Sequence, residues 1–558
     1  MKRTLLTLSL LALSAPLLAG GPELGPLREI AIQDGGRVKP LDSFARELAK
    51  RVQGARAFGI ESVAGLEPVE WVLASLAAPD RWKAEPILRV THAGVRDAAG
   101  LPPGRDRYTF QELAEHAGLR DAMGRARAKL DRNEELDPVE RGVVDLYDTL
   151  LTYQGVMTGE ALHIVPRPGD PKGAWYSVAD LGGPEAAAIP QAPRVRALLA
   201  ALLSAYQDGD RAGVATAASA LRARLAEIDP GIYPKAGVLR TEVHYNRLKP
   251  YRIAWILYLF GFLSLLASFP LRSRPFSWAG LALVVGGFLT QAYGMALRVM
   301  IAGRPPVTNM YESVVWVAFG AVLFALVFEA IYKVRYFAAC ASVLAVTCLL
   351  LADNVPILNG SIDPLVPVLR DNMWLTVHVL TITLGYAAFT LAMGIGHLNL
   401  GLYFFRPGQA VLLKDLSRFL YRALQVGTLF LAVGTLLGGV WASYSWGRFW
   451  GWDPKETWAL IATLGYLAIL HARFAGWIKD FGMAVGSLLG YLLVLMAWYG
   501  VNFVLGTGLH SYGFGSGGYW YVGGFVAFEV LVITAALLRR RSEMHRHARS
   551  APAPAPAV

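Results

Sequence analysis

Beyond Tyr251 the chain is a succession of long apolar blocks separated by short polar turns, whereas before it apolar and polar residues are interleaved. Nine blocks, near 251–270, 277–301, 311–332, 336–353, 374–405, 419–443, 457–475, 483–503 and 519–538, are long enough to cross a bilayer as helices. Residues 21–250 read differently. The stretch QAPRVRALLAALLSAYQDGDRAGVATAASALRARLAEIDP has the spacing of two amphipathic helices broken at Asp208-Gly209, and Phe110 to Tyr153 is similar. The pattern predicts a mainly α protein. Its larger part is a polytopic membrane helix bundle of about nine transmembrane helices (251–538), preceded by a mostly helical soluble domain (21–250). The opening MKRTLLTLSLLALSAPLLAGG has a basic start, an apolar core from Leu5 to Leu18 and then small residues. Residues 1–20 therefore read as a signal peptide or signal-anchor, although Leu17 is a poor residue for cleavage after Ala19.

Charge in the turns gives the chain a direction. If residues 21–250 lie outside, the inside loops are LRSR, YKVRY, RPGQAVLLKDLSR, HARFAGWIKD and the tail RRRSEMHRHAR, each with at least two Lys or Arg. The outside loops, GRPPVTN, Asn354 to Asn372, the Trp-rich segment near 446 and GLHSYGFGSGG, carry few. Five basic inside loops agree with the orientation rule for short loops and with an exported N-terminal domain, which is then extracytoplasmic. Residues 539–558 form a basic, then Ala/Pro-rich, cytoplasmic tail.

Composition narrows the function. Only 17% of residues are charged and 54% are hydrophobic, against about 25% charged in soluble chains, which excludes a wholly soluble protein. The net charge of +11 is spread over the turns rather than gathered in one patch, so nucleic acid is not the partner it indicates. Cys340 and Cys348 lie eight residues apart in one apolar block, about 12 Å along a helix, too far for a disulfide. His92, His116, His163 and His244 are scattered without ligand spacing and read as surface or structural residues.

The candidate chemistry gathers on the outside face. The string WGRFWGWDPKETWAL (446–460) crowds Trp446, Trp450, Trp452 and Trp458 into one turn and helix start. Asp453-Pro454-Lys455-Glu456 reads as an N-cap, a proline at N1 and a glutamate at N3 reaching back. An interfacial aromatic belt explains one or two tryptophans per helix end, not this density beside a capped turn. A flat, apolar ligand stacking on indoles fits better. His378, about one turn into its span, and His510, in the next outside loop, flank this segment on the same face. Two imidazoles with an aromatic platform suit a haem iron with two axial ligands.

These residues carry a resemblance. WGRFWGWDPKETWAL, with His378 before it and His510 after it, resembles the tryptophan-rich (WWD) motif of haem-handling membrane proteins, in the form found in the CcsA (ResC) family, the System II cytochrome c synthetases. The likeness covers residues 251–538 and extends to GRPPVTNMYES (303–313) and LHARF (470–474), while IQDGGRVKPLDSFARELA is similar to the extracytoplasmic segment of some members. The resemblance implies a multi-pass protein of the bacterial inner membrane that moves haem (haem b, as substrate) to the outer face and promotes its thioether attachment to apocytochrome c. The apocytochrome partner presents a Cys-x-x-Cys-His segment. Matched by motif, His378 and His510 are the external iron ligands, Trp446, Trp450, Trp452, Asp453 and Trp458 belong to the haem platform, and His471 is a transmembrane iron ligand. The family also works with a ResB (CcsB) component, of which no matching region is present, so a separate membrane partner is implied.

Spacing argues for two haem positions. His471 lies 17 residues after Pro454, about 26 Å deeper along a helix, so one haem cannot touch both ends. An intramembrane histidine is a functional candidate by default. His397, 19 residues beyond His378, reaches a similar depth and is either a second internal ligand or the partner of a neighbouring helix. Arg298 and Arg304, near the outer end of the second span, stand either as propionate partners or as interfacial anchors. Two other functions stay open beside the synthetase: a haem exporter or chaperone that passes haem to a separate lyase, and a membrane b-type cytochrome.

Overall fold

The computed structural model describes residues 24–54, 62–355, 358–365, 372–506 and 518–550. They fall into two compact units. The first contains the residues up to Lys249 with Ala296–Gly303 and Ser361–Pro364; the second contains Pro250–Met295, Arg304–Gly360 and the described residues beyond.

The first unit is mainly helical with two small hairpins. Ala31–Asp34 (β1) pairs antiparallel with Arg37–Pro40 (β2), Ala31 opposite Pro40, around a two-residue Gly35-Gly36 turn with φ of 59° and 78°. That turn needs two left-handed residues, which glycine supplies without strain. Leu88–Arg89 (β3) pairs with Arg107–Tyr108 (β4). The two amphipathic helices expected after Pro190 are present as Ala192–Gln207 and Arg211–Ile228, separated at Asp208-Gly209. Trp71 stacks on Tyr153 at 5.2 Å inside the apolar core.

A polar network is buried beside that core. Arg28, 2% exposed, reaches Asp42 at 3.2 Å and also Glu67. Asp42 further accepts from Arg46 Nε (2.8 Å) and Asn246 Nδ2 (3.1 Å). Arg37 forms a two-pronged pair with Glu242 (3.0 and 2.7 Å), which also accepts from Ser43 Oγ at 2.6 Å. Burial works against the Arg37 charge, but the hydrogen-bonded Glu242 carboxylate outweighs it and holds the guanidinium above its ordinary range. The charges of IQDGGRVKPLDSFARELA are thus satisfied by one another, by Arg28, and by Glu242 and Asn246 of the helix Ala236–Leu248. His92 caps the helix Ala93–Ala98 by accepting from Val95 N.

The second unit is a helix bundle, and nine helices among the described residues are long and apolar enough to cross a membrane. They are α1 (Pro250–Leu271), α2 (Arg274–Ala302), α3 (Met310–Tyr332), α4 (Tyr336–Asn354), α5 (Asn372–Phe405), α6 (Ala410–Trp446), α7 (Pro454–Phe474), α8 (Asp480–Leu495) and α9 (Tyr519–Ser550). The last turns of α8 run on as a π-helix, Met496–Leu505. The chain is a multi-pass membrane protein. Its helix α6 starts nine residues before the apolar block and α9 runs twelve beyond its own, through Lys414, Asp415 and Arg418 and through Arg539 to Arg541. Charged side chains end a hydropathy window, but straight-chain ones continue a helix at little cost.

Small residues let α5 and α6 approach closely, as at membrane helix interfaces generally. A Cβ on Gly434 would lie 2.7 Å from Ile382 Cα, and one on Gly385 would lie 2.9 Å from Leu431 N. Gln291 accepts from Tyr258 at 2.8 Å and donates to Val315 O at 2.8 Å, tying α1, α2 and α3 together.

Candidate functional site

Helices α3, α5, α6, α7 and the π-helical end of α8 enclose a mainly apolar cavity of about 170 Å³, room for roughly a dozen waters. His378 of α5 stands in its wall. The His378 Nδ1 lies 2.7 Å from Gly434 O. A carbonyl oxygen only accepts, so Nδ1 carries the proton of this contact. The ring lies parallel to Trp441 (centroids 6.4 Å, planes 6° apart). Behind it, Gly438 is so close that a Cβ there would lie 2.7 Å from His378 Cε1. An imidazole whose Nδ1–H is oriented by a backbone carbonyl is how metal-ligating histidines are commonly held.

The Trp-rich turn forms another wall. Asp453 caps α7 by accepting from Lys455 N (2.9 Å), and Glu456 reaches back to Asp453 N (3.2 Å), which is the reciprocal cap expected from the sequence. Glu456 also accepts from Gly451 N (2.8 Å) and Arg448 Nη1 (2.8 Å). One carboxylate therefore folds the whole turn. A Cβ on Gly451 would meet the Arg448 guanidinium, which would have to move aside. Arg448 in turn lies over the Trp446 ring, 5.4 Å from its centroid.

Of the residues singled out from the sequence, the cavity brings His378 and Trp450 together. Trp446 sits one layer back, edge-on to Trp441 at 4.7 Å, in a small apolar cluster with Leu375. Trp452 is 70% exposed with φ of 56° and meets Trp450 at right angles, 5.8 Å away. Asp453 and Trp458 are not among the lining residues, and neither are Arg298 and Arg304. Arg298, 2% exposed, is within 3.3 Å of Tyr245 Oη and 3.4 Å of Ser361 O. His510 lies outside the described residues, as does the N-terminal signal segment.

His471 is exposed in the last turn of α7, its Nδ1 2.7 Å from Leu467 O, far from the cavity at the start of that helix. His397 is held differently. Its Nδ1 lies 3.0 Å from Met393 O, and its Nε2 faces Glu529 Oε1 of α9 at 3.2 Å, with Phe528 stacked beside the ring. Glu529 is fully buried. Of the two alternatives for His397, the geometry matches a histidine engaged by a neighbouring helix.

Trp441, Trp498 and Asn502 line the cavity without having been singled out from the sequence. Lys455 and Val307–Met310 line it too, the first legible in the sequence only as part of the α7 cap and the second only within the family-like GRPPVTNMYES. Trp498 donates to Ser313 Oγ (2.9 Å), and Lys455 Nζ donates to Asn502 Oδ1 (3.0 Å). The π-helix carries both Trp498 and Asn502, and such widened turns recur at functional sites. Among the described residues no cluster of three or more metal-ligating side chains occurs.

The profile of a family described as "Cytochrome C assembly protein" matches residues 307–510, a stretch that holds much of the cavity lining. The chain is 34% identical over 299 residues to the cytochrome c biogenesis protein CcsA of Synechococcus sp. (strain CC9605), covering 47% of this chain and 98% of that one. It is 29% identical over 502 residues to protein NrfI of Wolinella succinogenes, covering 86% of this chain and 53% of NrfI. That match is longer than the membrane part alone, and the chain spans about half the length of NrfI. Among solved structures, the cytochrome c haem lyase CcmF superposes with a TM-score of 0.38 at 16% identity over 52% of this chain and 50% of that one.

Proposed function

The chain belongs to the CcsA family of cytochrome c biogenesis proteins, and on that premise we propose that its cavity receives haem at the outer membrane face and presents it to apocytochrome c for covalent attachment. The observation that carries this reading is His378, an imidazole with Nδ1 on a backbone carbonyl, standing in an apolar cavity between Trp441 and Trp450. His378 is one axial ligand and His510, which follows α8 in the sequence, is the other. Trp450 and the turn around it form the platform against one face of the macrocycle.

The chain's own contribution is positioning. Held edge-in by the cavity, the haem turns its vinyl groups toward an arriving Cys-x-x-Cys-His segment. Each thiol adds across one vinyl: a C–S bond forms at the carbon next to the ring, the thiol proton ends on the terminal carbon, and no net oxidation occurs. The segment's histidine then displaces one external ligand. Fixing both reactants makes the addition effectively unimolecular.

His471, exposed near the other end of α7, suits an inner haem position shared with a histidine of a ResB-type partner chain. The engagement of His397 with Glu529 supports that partner over an internal pair. The outward placement of the soluble domain and the Trp turn rests on the basic inside loops. A haem exporter handing its cargo to a separate lyase remains the second reading, supported by the same cavity.

The test is co-expression with a ResB-type partner and an apocytochrome. His378→Ala should abolish covalent cytochrome, and excess imidazole should restore part of it by filling the empty axial position. Normal assembly in His378→Ala refutes the external-ligand role. His471→Ala should lose most inner-site haem while His397→Ala retains it; the reverse pattern overturns the inner assignment. Haem delivered outside without thioether formation favours the exporter.

A further inference from the structure

We propose that Lys455 and Asn502 form a carboxylate-binding subsite in the wall of the cavity, taking one acid group of the macrocycle while His378 faces its metal; the proposal rests on reading the cavity as a haem site. Lys455 is the one lysine or arginine among the described lining residues. Its backbone N–H is fixed by the Asp453 cap (2.9 Å), while its side chain runs to the π-helix and donates from Nζ to Asn502 Oδ1 at 3.0 Å. Asn502 is itself oriented, since its Nδ2 donates to Trp498 O at 2.9 Å. The amide oxygen therefore points at the ammonium.

The nearby acids are committed elsewhere. Glu456 holds Gly451 N, Asp453 N and Arg448, and the Asp453 carboxylate takes up Lys455's own N–H. Arg448, the other cation of the turn, is engaged by Glu456 and by the Trp446 ring and does not line the cavity. An ammonium has three donors, of which a neutral amide takes one here. Asp453 acts on this ammonium through space, but Nζ hydrogen-bonds to the neutral Asn502 amide, so a buried charge here still gains from an anion that hydrogen-bonds to it. A ligand bearing carboxylates supplies that anion, and a macrocycle with acid groups on one edge enters with that edge toward Lys455. The subsite thereby fixes which edge of the ring goes in and which edge, with the reactive vinyls, stays out.

The experiment uses the full chain purified in detergent, titrated with haem and with haem dimethyl ester, which lacks free carboxylates. Soret absorbance reads binding and iron ligation independently of cytochrome assembly. Wild type should bind haem at least ~10-fold more tightly than the ester. Lys455→Met, similar in length but uncharged, should lose that preference while keeping the ester affinity, and Lys455→Arg should keep most of it. Three results overturn the subsite: no preference in wild type, the same preference in Lys455→Met, or a parallel loss of both ligands with the ratio unchanged. If neither ligand binds wild type with a Soret shift, the haem reading of the cavity falls as well, which separates the two failures.

Discussion

Glu456→Ala removes a single carboxylate that receives three donors in the Trp-rich turn: Gly451 N at 2.8 Å, Asp453 N at 3.2 Å and Arg448 Nη1 at 2.8 Å. A hydrogen bond to a charged acceptor contributes about 1.5–3 kcal/mol where water does not replace it. Gly451 is exposed, so its N–H finds water and that loss is about 1 kcal/mol. Asp453 is 6% exposed, and stranding its N–H costs about 2 kcal/mol. The Arg448 pair is partly solvated and adds less than about 1 kcal/mol. The sum is about 3 kcal/mol, and since about 1.4 kcal/mol is tenfold, opening of the turn becomes roughly 100-fold more frequent. Amide hydrogen exchange followed by mass spectrometry on peptides spanning 447–458, in the detergent-solubilised chain, reads this directly. Exchange should accelerate by about two decades there and stay unchanged in the later turns of α7 and in the α5–α6 seam. Glu456→Gln, whose amide oxygen still accepts, should fall between. Unchanged exchange in Glu456→Ala, or acceleration spread along all of α7, refutes the idea that one carboxylate folds the turn.

Gly438→Ala places a methyl 2.7 Å from His378 Cε1; it should tilt the ring, lower the low-spin haem signal severalfold, and respond to added imidazole as His378→Ala does. A wild-type spectrum in this variant contradicts the placement of the ring. His397→Ala removes the imidazole that faces the buried Glu529 carboxyl at 3.2 Å, and leaving a buried polar group without its neighbour costs about 1–3 kcal/mol. Its melting temperature in detergent should fall by several degrees and recover in His397→Ala/Glu529→Leu; an unshifted single variant rules out the pairing. A reporter active only outside the cytoplasm should work when fused after Asp371 or Gly513 and fail after Lys414 or Lys479, the opposite pattern reversing the sidedness of the Trp turn.

The long helices were legible because a bilayer imposes a length and a hydropathy that survive without any tertiary knowledge. The capped start of α7 was legible for a local reason. Asp453-Pro454-Lys455-Glu456 repeats the form of Asp137-Pro138-Val139-Glu140, and both open helices with the same reciprocal cap, although only one borders the cavity. That comparison gives Asp453 a local task that accounts for its place in the motif. The hairpin at Gly35-Gly36 had a readable turn signal in IQDGGRV that helical periodicity elsewhere obscured. The rest of the cavity had no such signal. Ser313 and Trp498 meet across 185 positions, and Lys455 meets Asn502 across 47. Trp441 lies inside an apolar block, where an indole is ordinary. Only the packing of five helices turns these single side chains into one wall.

Trp452 sits where the backbone turns left-handed, at φ of 56°, with its ring mostly in the open. For a residue with a Cβ that conformation costs roughly 1–2 kcal/mol, and the exposed ring recovers little of it by burial. Glycine would take the same turn without the cost. Directed evolution of this protein for heat resistance alone should therefore drift position 452 toward glycine or asparagine and return hardier variants stripped of an indole. Evolution under demand for cytochrome assembly should hold the tryptophan. The residue that survives in each regime measures how much the turn serves its ligand rather than its own fold.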